Sequence, residues 1–160
     1  MTKNIFTECE KAISEKEIRQ IEQDLGITLP SDFIAHYRRY NGGTPEKTMW
    51  RDETHDYLEV RDFMSFIYCK DFGDDQDYTL NGRAKEEWRE KTLPPTLLPF
   101  AFDWGGNYFC IDLITGHVCY FVKDVWSDNI STEKNWEINT DYVTDSISKF
   151  IENLQINDDD

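Results

Sequence analysis

Positive charge is scarce in this sequence. Only 17 Lys and Arg face 32 Asp and Glu, a formal net charge of −15 over 160 residues. Each phosphate contact needs a cation, so neither nucleic acid nor an anionic membrane is expected as a direct partner. Long apolar runs are missing as well, and no stretch approaches the roughly 20 residues that span a bilayer. The opening MTKNIFTECE lacks a basic end followed by an apolar run, so no secretory signal is expected. Cys9, Cys69, Cys110 and Cys119 are widely spaced and form no CxxC pair. They are expected as free thiols in a reducing compartment, which makes the cytoplasm the expected location.

Catalytic motifs are missing too. His36, His55 and His117 are far apart, and none forms a short ligand pair, so no metal is expected. There is no GxSxG turn. Cys110 lies among apolar residues without the electropositive setting that makes a thiolate, so it is expected as inert core. Glu59, Asp103 and Asp112 fall near strand ends, but among 32 acids some carboxylates meet by chance. Neither an enzyme nor a cofactor is expected.

What is present is apolar and aromatic residues, 39% and 14% of the chain, enough for the core of one domain spanning residues 1–160. Ser14 and Glu17 have capping-box spacing, Ile18, Ile21 and Leu25 recur at helical intervals, and Gly26 follows as a stop. Leu29 or Ser31 then caps a second helix, depending on whether Pro30 takes its first position. Phe33, Tyr37 and Tyr40 share one face of it, and Asn41-Gly42-Gly43 ends it. Residues 44–54 read as polar loop, 58–68 as one or two strands, and 80–91 as a charged helix. A short strand is expected around Trp136–Ile138. A final helix is expected over 141–155, with Val143, Ile147, Phe150, Ile151 and Leu154 as its stripe. Residues 155–160 are expected as a solvated acidic tail.

FAFDWGGNYFCID, residues 100–112, is the most distinctive segment. A phosphate-cradling glycine loop leads from a strand into a helix. Here Gly105, Gly106 and Asn107 lead into YFCIDLI, which reads as a strand, and Thr115-Gly116 turns it back into HVCYFV. The glycines therefore serve a tight reversal, with Asp103 placed to brace it through backbone amides.

Two acidic groups stand apart: Asp52, Glu53 and Asp56 in one loop, and Asp71, Asp74, Asp75 and Asp77 in another. Trp50, Tyr57, Phe72 and Tyr78 flank them, either as contact residues or as core residues where the loops begin. Solvated loop charge and a docking surface for a basic protein both fit this pattern, since an aromatic anchor ringed by charge is common at interfaces.

The order of the motifs resembles the SUKH superfamily. Leu25, Gly26, Leu29, Pro30, Asp32, Phe33, Asn41, Gly42 and Gly43 are similar to its N-terminal signature. Leu98, Pro99, Phe100, Ala101, Asp103, Gly105, Gly106, Asn107 and Asp112 resemble its second, and Ser146, Ile147, Phe150, Ile151 and Leu154 its closing segment. The likeness runs over residues 13–154, loosely across 44–97. It implies an α+β domain, a largely antiparallel sheet packed by N-terminal and C-terminal helices. It also implies a class of function. Many bacterial members are immunity proteins that neutralise the toxin domain, often a nuclease, of a polymorphic or contact-dependent system. Others are regulators or adaptors, including a eukaryotic cell-wall assembly regulator. The expected partner is thus a basic toxin domain, with a non-enzymatic regulatory adaptor as the alternative. Homodimerisation through an edge strand or the last helix stays open.

Overall fold

In the computed structural model, which describes residues 3–158, strand β1 (Phe6–Thr7) precedes helix α1 (Glu15–Leu25). Both halves of the capping box form: Glu17 N–H donates to Ser14 Oγ at 3.1 Å, and Ser14 N–H donates to Glu17 Oε1 at 2.9 Å. Gly26 ends α1 in the left-handed conformation. Helix α2 (Ser31–Arg39) follows, and here the expectation needs correcting. Pro30 is itself the N-cap residue, and no side chain caps the helix. Proline's fixed φ, here −59°, leads the chain into the first turn without one.

Residues 44–54 are not all loop. Strands β2 (Thr44–Pro45) and β3 (Met49–Trp50) pair with β1 and with β4 (Leu58–Glu59). Each is only two residues long, too short to show an alternating pattern in sequence. The main sheet is antiparallel, in the order β5 (Asp62–Phe63), β6 (Leu97–Phe102), β7 (Tyr108–Asp112), β8 (Val118–Phe121) and β9 (Thr140–Thr144). Helix α3 (Leu80–Arg89) lies between β5 and β6, and α4 (Thr132–Asn139) between β8 and β9; α5 (Ile147–Asn153) follows β9.

The sheet is buried on both faces. Phe109 and Ile111 of β7 join a large core with Ile18 and Ile21 of α1, Phe33 and Tyr37 of α2, and Ile147 and Phe150 of α5. The alternate residues Tyr108 and Cys110 join a smaller cluster with Leu93, Leu97 and Phe121, against which Trp88 and Trp136 pack. This two-sided burial is why YFCID reads as a continuous apolar run rather than an alternating one. Pro99 sits inside β6 at a register shift towards β7, where a missing backbone donor is tolerated.

Two further expectations are overturned. Trp136–Ile138 is helix, part of α4, started by Ser131, whose Oγ accepts from Lys134 N–H at 3.1 Å. The residues α4 buries are Asn135 and Asn139, so its inward face carries no apolar stripe to read. Residues 140–144 are strand, not the first turn of the last helix. Thr140, Tyr142, Val143 and Thr144 favour the pleated sheet, and Val143 alone turns into the core. The helix begins at Ile147 after the Ser146 cap. That helix ends at Asn153, and Gln155, expected as helix end and start of the acidic tail, instead pairs with Met49 through two backbone hydrogen bonds of 2.9 and 2.8 Å; Asp159 and Asp160 lie outside the described residues.

The 103–107 reversal is the expected strand-to-strand turn. Asp103 Oδ1 accepts from the N–H groups of Gly105 and Asn107, both at 2.9 Å, while Oδ2 accepts from the Tyr120 hydroxyl. Asp103→Ala strands two backbone donors and one hydroxyl, and should cost about 1–3 kcal/mol of stability in urea unfolding, with the midpoint lowered.

His36 packs edge-on against Phe6, ring centroids 4.8 Å apart, and its Nε2 is buried without a hydrogen-bond partner. Burial, with Arg39 adding repulsion, pushes its pKa down to about 4. The folded state therefore holds the neutral ring, while the unfolded chain takes up the proton near the ordinary value of about 6.5. The stability this contributes is intact above that value and falls as pH drops from it towards 4. His36→Phe should flatten this part of the stability–pH curve in urea titrations.

Candidate protein-docking surface

The two acidic groups occupy different places. The loop of residues 51–57 lies against β9, and that of residues 69–79 lies against α3 and the segment before it. Among the described residues no hydrogen bond or ion pair joins them.

The first loop is built around Asp52. Its carboxylate accepts from Trp50 Nε1 at 2.8 Å, from Thr54 N–H at 2.8 Å, from His55 N–H at 2.6 Å and from His55 Nδ1 at 3.0 Å. Loss of solvation opposes the charge, but the hydrogen bonds from Trp50, His55 and Thr54 outweigh it and hold Asp52 well below the carboxylate range. Its oxygens are committed to the loop itself, which leaves Glu53 and Asp56 as the outward charges. Trp50 is core, stacked on Phe150 at 5.5 Å, whereas Tyr57 is exposed.

His55, buried beneath this loop, joins it to the sheet: Nδ1 faces Asp52 and Nε2 lies 2.6 Å from Asp141 of β9. The sequence pattern does not reveal this brace, because it places Asp141 in a helix whereas Asp141 lies in β9. A histidine three residues after an aspartate was the available signal for half of it.

The second loop presents its groups differently. Lys70–Phe72 and Gln76–Tyr78 form two 3-10 turns, joined through Gly73 and Asp74 with φ of 61° and 57°. Asp74 Oδ1 accepts from Cys69 N–H at 2.8 Å, and Asp75 Oδ1 from Asp77 N–H at 3.1 Å. Gln76 donates to the Ile67 carbonyl at 2.8 Å and accepts from Asn81 Nδ2 at 3.0 Å, which fastens the loop to the start of α3. The approach is so close that a Cβ on Gly82 would stand 1.6 Å from the Gln76 carbonyl oxygen.

On this fixed backbone Phe72 and Tyr78 stack with centroids 4.1 Å apart and planes 5° from parallel. They remain 56% and 51% exposed. Asp74 and Asp75 brace the loop, while Asp71 and Asp77 are exposed and make no side-chain hydrogen bond among the described residues. A groove lined by Ile21, Leu25, Ile67, Asp77 and Lys85 opens beside it, between α1 and α3. The surface joins apolar area, outward negative charge and little backbone freedom, a combination suited to binding a basic protein.

The motif residues serve the scaffold. Leu29 is core, and Asn41 Nδ2 donates to the Lys11 and Phe66 carbonyls at 2.9 and 3.0 Å, while Oδ1 accepts from Phe66 N–H at 2.8 Å. Cys110 is buried, and that burial pushes its thiol well above the ordinary range. Among the described residues no group of three or more His, Cys, Asp or Glu is placed to hold a metal ion, and no helix is long and apolar enough to cross a membrane.

The His55 brace has a pH signature. Burial disfavours its charged ring, but hydrogen bonds to Asp52 and Asp141 outweigh this and raise its pKa. Its stabilisation is complete below the ordinary value of about 6.5 and is lost as pH rises through the raised folded value. His55→Asn should therefore lose most stability in mildly acid urea titrations, with the gap to the unaltered protein narrowing in alkali. The sign is opposite to that of His36, so the two variants separate the contributions.

Comparison with known proteins agrees with this scaffold. No curated protein matches the sequence. The SMI1 / KNR4 family (SUKH-1) matches residues 12–153, which includes both glycine turns, the five-stranded sheet and all of α5. A match over so much of the chain, with the α+β architecture in place, settles the family: this chain belongs to the SMI1 / KNR4 family (SUKH-1).

Proposed function

We propose that this protein is a cytoplasmic immunity protein that binds a basic toxin domain, in our reading a nuclease, and blocks it by occlusion without chemistry. The observation that carries the reading is the half-exposed Phe72–Tyr78 stack, held within a loop of four aspartates on a chain of net charge −15. Family membership makes this class of function available, and the charge selects the partner. A nuclease must bind polyphosphate and so presents a basic cleft. An acidic inhibitor is steered to such a cleft, and speed matters because each turnover before capture does damage. Tight holding comes from aromatic anchors that become buried on contact.

Charge and anchor then have separable effects. The protein should form a one-to-one complex with the toxin domain encoded beside its gene, with association slowing steeply as salt rises. In stopped-flow measurements Asp71→Asn with Asp77→Asn should lower the association rate and flatten its salt dependence. Phe72→Ala with Tyr78→Ala should act chiefly on dissociation, weakening the complex about tenfold or more. Association that is indifferent to salt and to both pairs of substitutions would overturn the reading. Weak binding to several unrelated cellular proteins would favour a regulatory adaptor instead.

A further inference from the structure

Residues 122–139 carry a second set of exposed apolar side chains. Val125 and Ile138 are each 58% exposed and Trp126 is 40% exposed. The backbone that carries Val125 and Trp126 is nevertheless fixed. Asn135, 2% exposed, accepts from Ser127 N–H at 2.9 Å and donates to the Ser127 carbonyl at 2.9 Å. Asn139, 4% exposed, donates to the Val125 carbonyl. Two buried amides therefore clamp the loop onto α4, while the apolar side chains beside them stay in water. Side chains on a clamped backbone have less freedom left to lose when a partner covers them.

Charge decides what covers them. Asp124, Asp128 and Glu133 are exposed around this surface. Its two lysines are neutralised: Lys134 lies 3.3 Å from Glu137, and Lys123 lies 3.4 Å from Glu87, an ion pair without good hydrogen-bond geometry. A second copy of this chain would bring acid against acid, each molecule carrying −15, so repulsion opposes a homodimer here. A basic protein meets no such opposition.

We propose that Val125, Trp126 and Ile138 form a second anchor for the basic toxin domain, a proposal that rests on the function inferred above. Both surfaces are carried by elements tied to α3. Gln76, in the acidic loop, is bonded to Asn81 at the start of α3, and Trp136 of α4 donates to the Lys91 carbonyl just past its end at 2.9 Å. The acidic loop is thus tied to the start of α3, and helix α4 to the segment just past the end of α3.

The test is surface plasmon resonance with the toxin domain encoded beside the gene, using the unaltered protein, Trp126→Ala/Ile138→Ser and Val125→Ser. Val125 and Ile138 are more than half exposed and Trp126 is 40% exposed, so melting temperatures should fall only a little; Val125→Ser serves as the independent variant if the double one melts early. The expected result is a complex at least about tenfold weaker for the double variant, through faster dissociation and with an unchanged salt slope. Binding equal to that of the unaltered protein in both variants overturns the second anchor and leaves the function standing. A dimer of the unaltered protein in sedimentation that Trp126→Ala/Ile138→Ser dissolves overturns the occupant in favour of a second copy. Failure of the unaltered protein to bind the toxin domain overturns the function and this anchor together.

Discussion

One carboxamide joins the parts of this molecule that secondary structure does not. Asn41, 2% exposed, bonds at once to the backbone of Lys11 ahead of α1 and to both backbone groups of Phe66 ahead of the acidic loop. Gly43, two residues on, bridges to Phe63 of β5, and a Cβ there would lie 2.5 Å from the Thr7 carbonyl oxygen. The end of α2, the N-terminal segment, the edge of the main sheet and the root of the acidic loop therefore meet at Asn-Gly-Gly. A buried amide must satisfy its donors and acceptor inside the protein, so these four segments are fixed relative to one another.

That fixed frame accounts for the division of labour between motif and surface. Residues of the family signatures, such as Asn41 and Asp103, spend their polar atoms on bonds inside the protein and have little left for a partner. The segments that bear exposed aromatic and acidic groups, 69–79 and 122–139, are held from below by other amides, those of Gln76, Asn135 and Asn139. Such an arrangement lets contact residues change without touching the scaffold. It is what a protein needs if its fold is shared while its partner is its own.

What was legible in the sequence follows the same division. The capping box of α1 and the Asp103 turn were readable because local hydrogen bonds dictate them, and local residues carry the signal. Helix α4 was not, because its buried face is Asn135 and Asn139, and hydrophobic periodicity says nothing about an amide that faces inward. Strand β9 reads in sequence as part of the last helix because Val143 stands four residues before Ile147, a helical interval met by chance across the strand-to-helix boundary. The acidic residues were visible, but their roles were not. Asp52 and Asp74 turn out to brace their own loops, while Asp71 and Asp77 face solvent, and only three-dimensional hydrogen bonding separates the two kinds. The His55 brace joins residues 86 apart in sequence, beyond any local pattern.

The account stands on protection of a cell from a basic toxin domain. The most direct measurement is growth of cells expressing the toxin domain encoded beside this gene, with and without the protein. Restored growth, lost when Phe72 and Tyr78 are both replaced by alanine although the variant accumulates to the same level, is the result the account predicts. Death that the unaltered protein does not relieve, at expression levels exceeding those of the toxin domain, would contradict it.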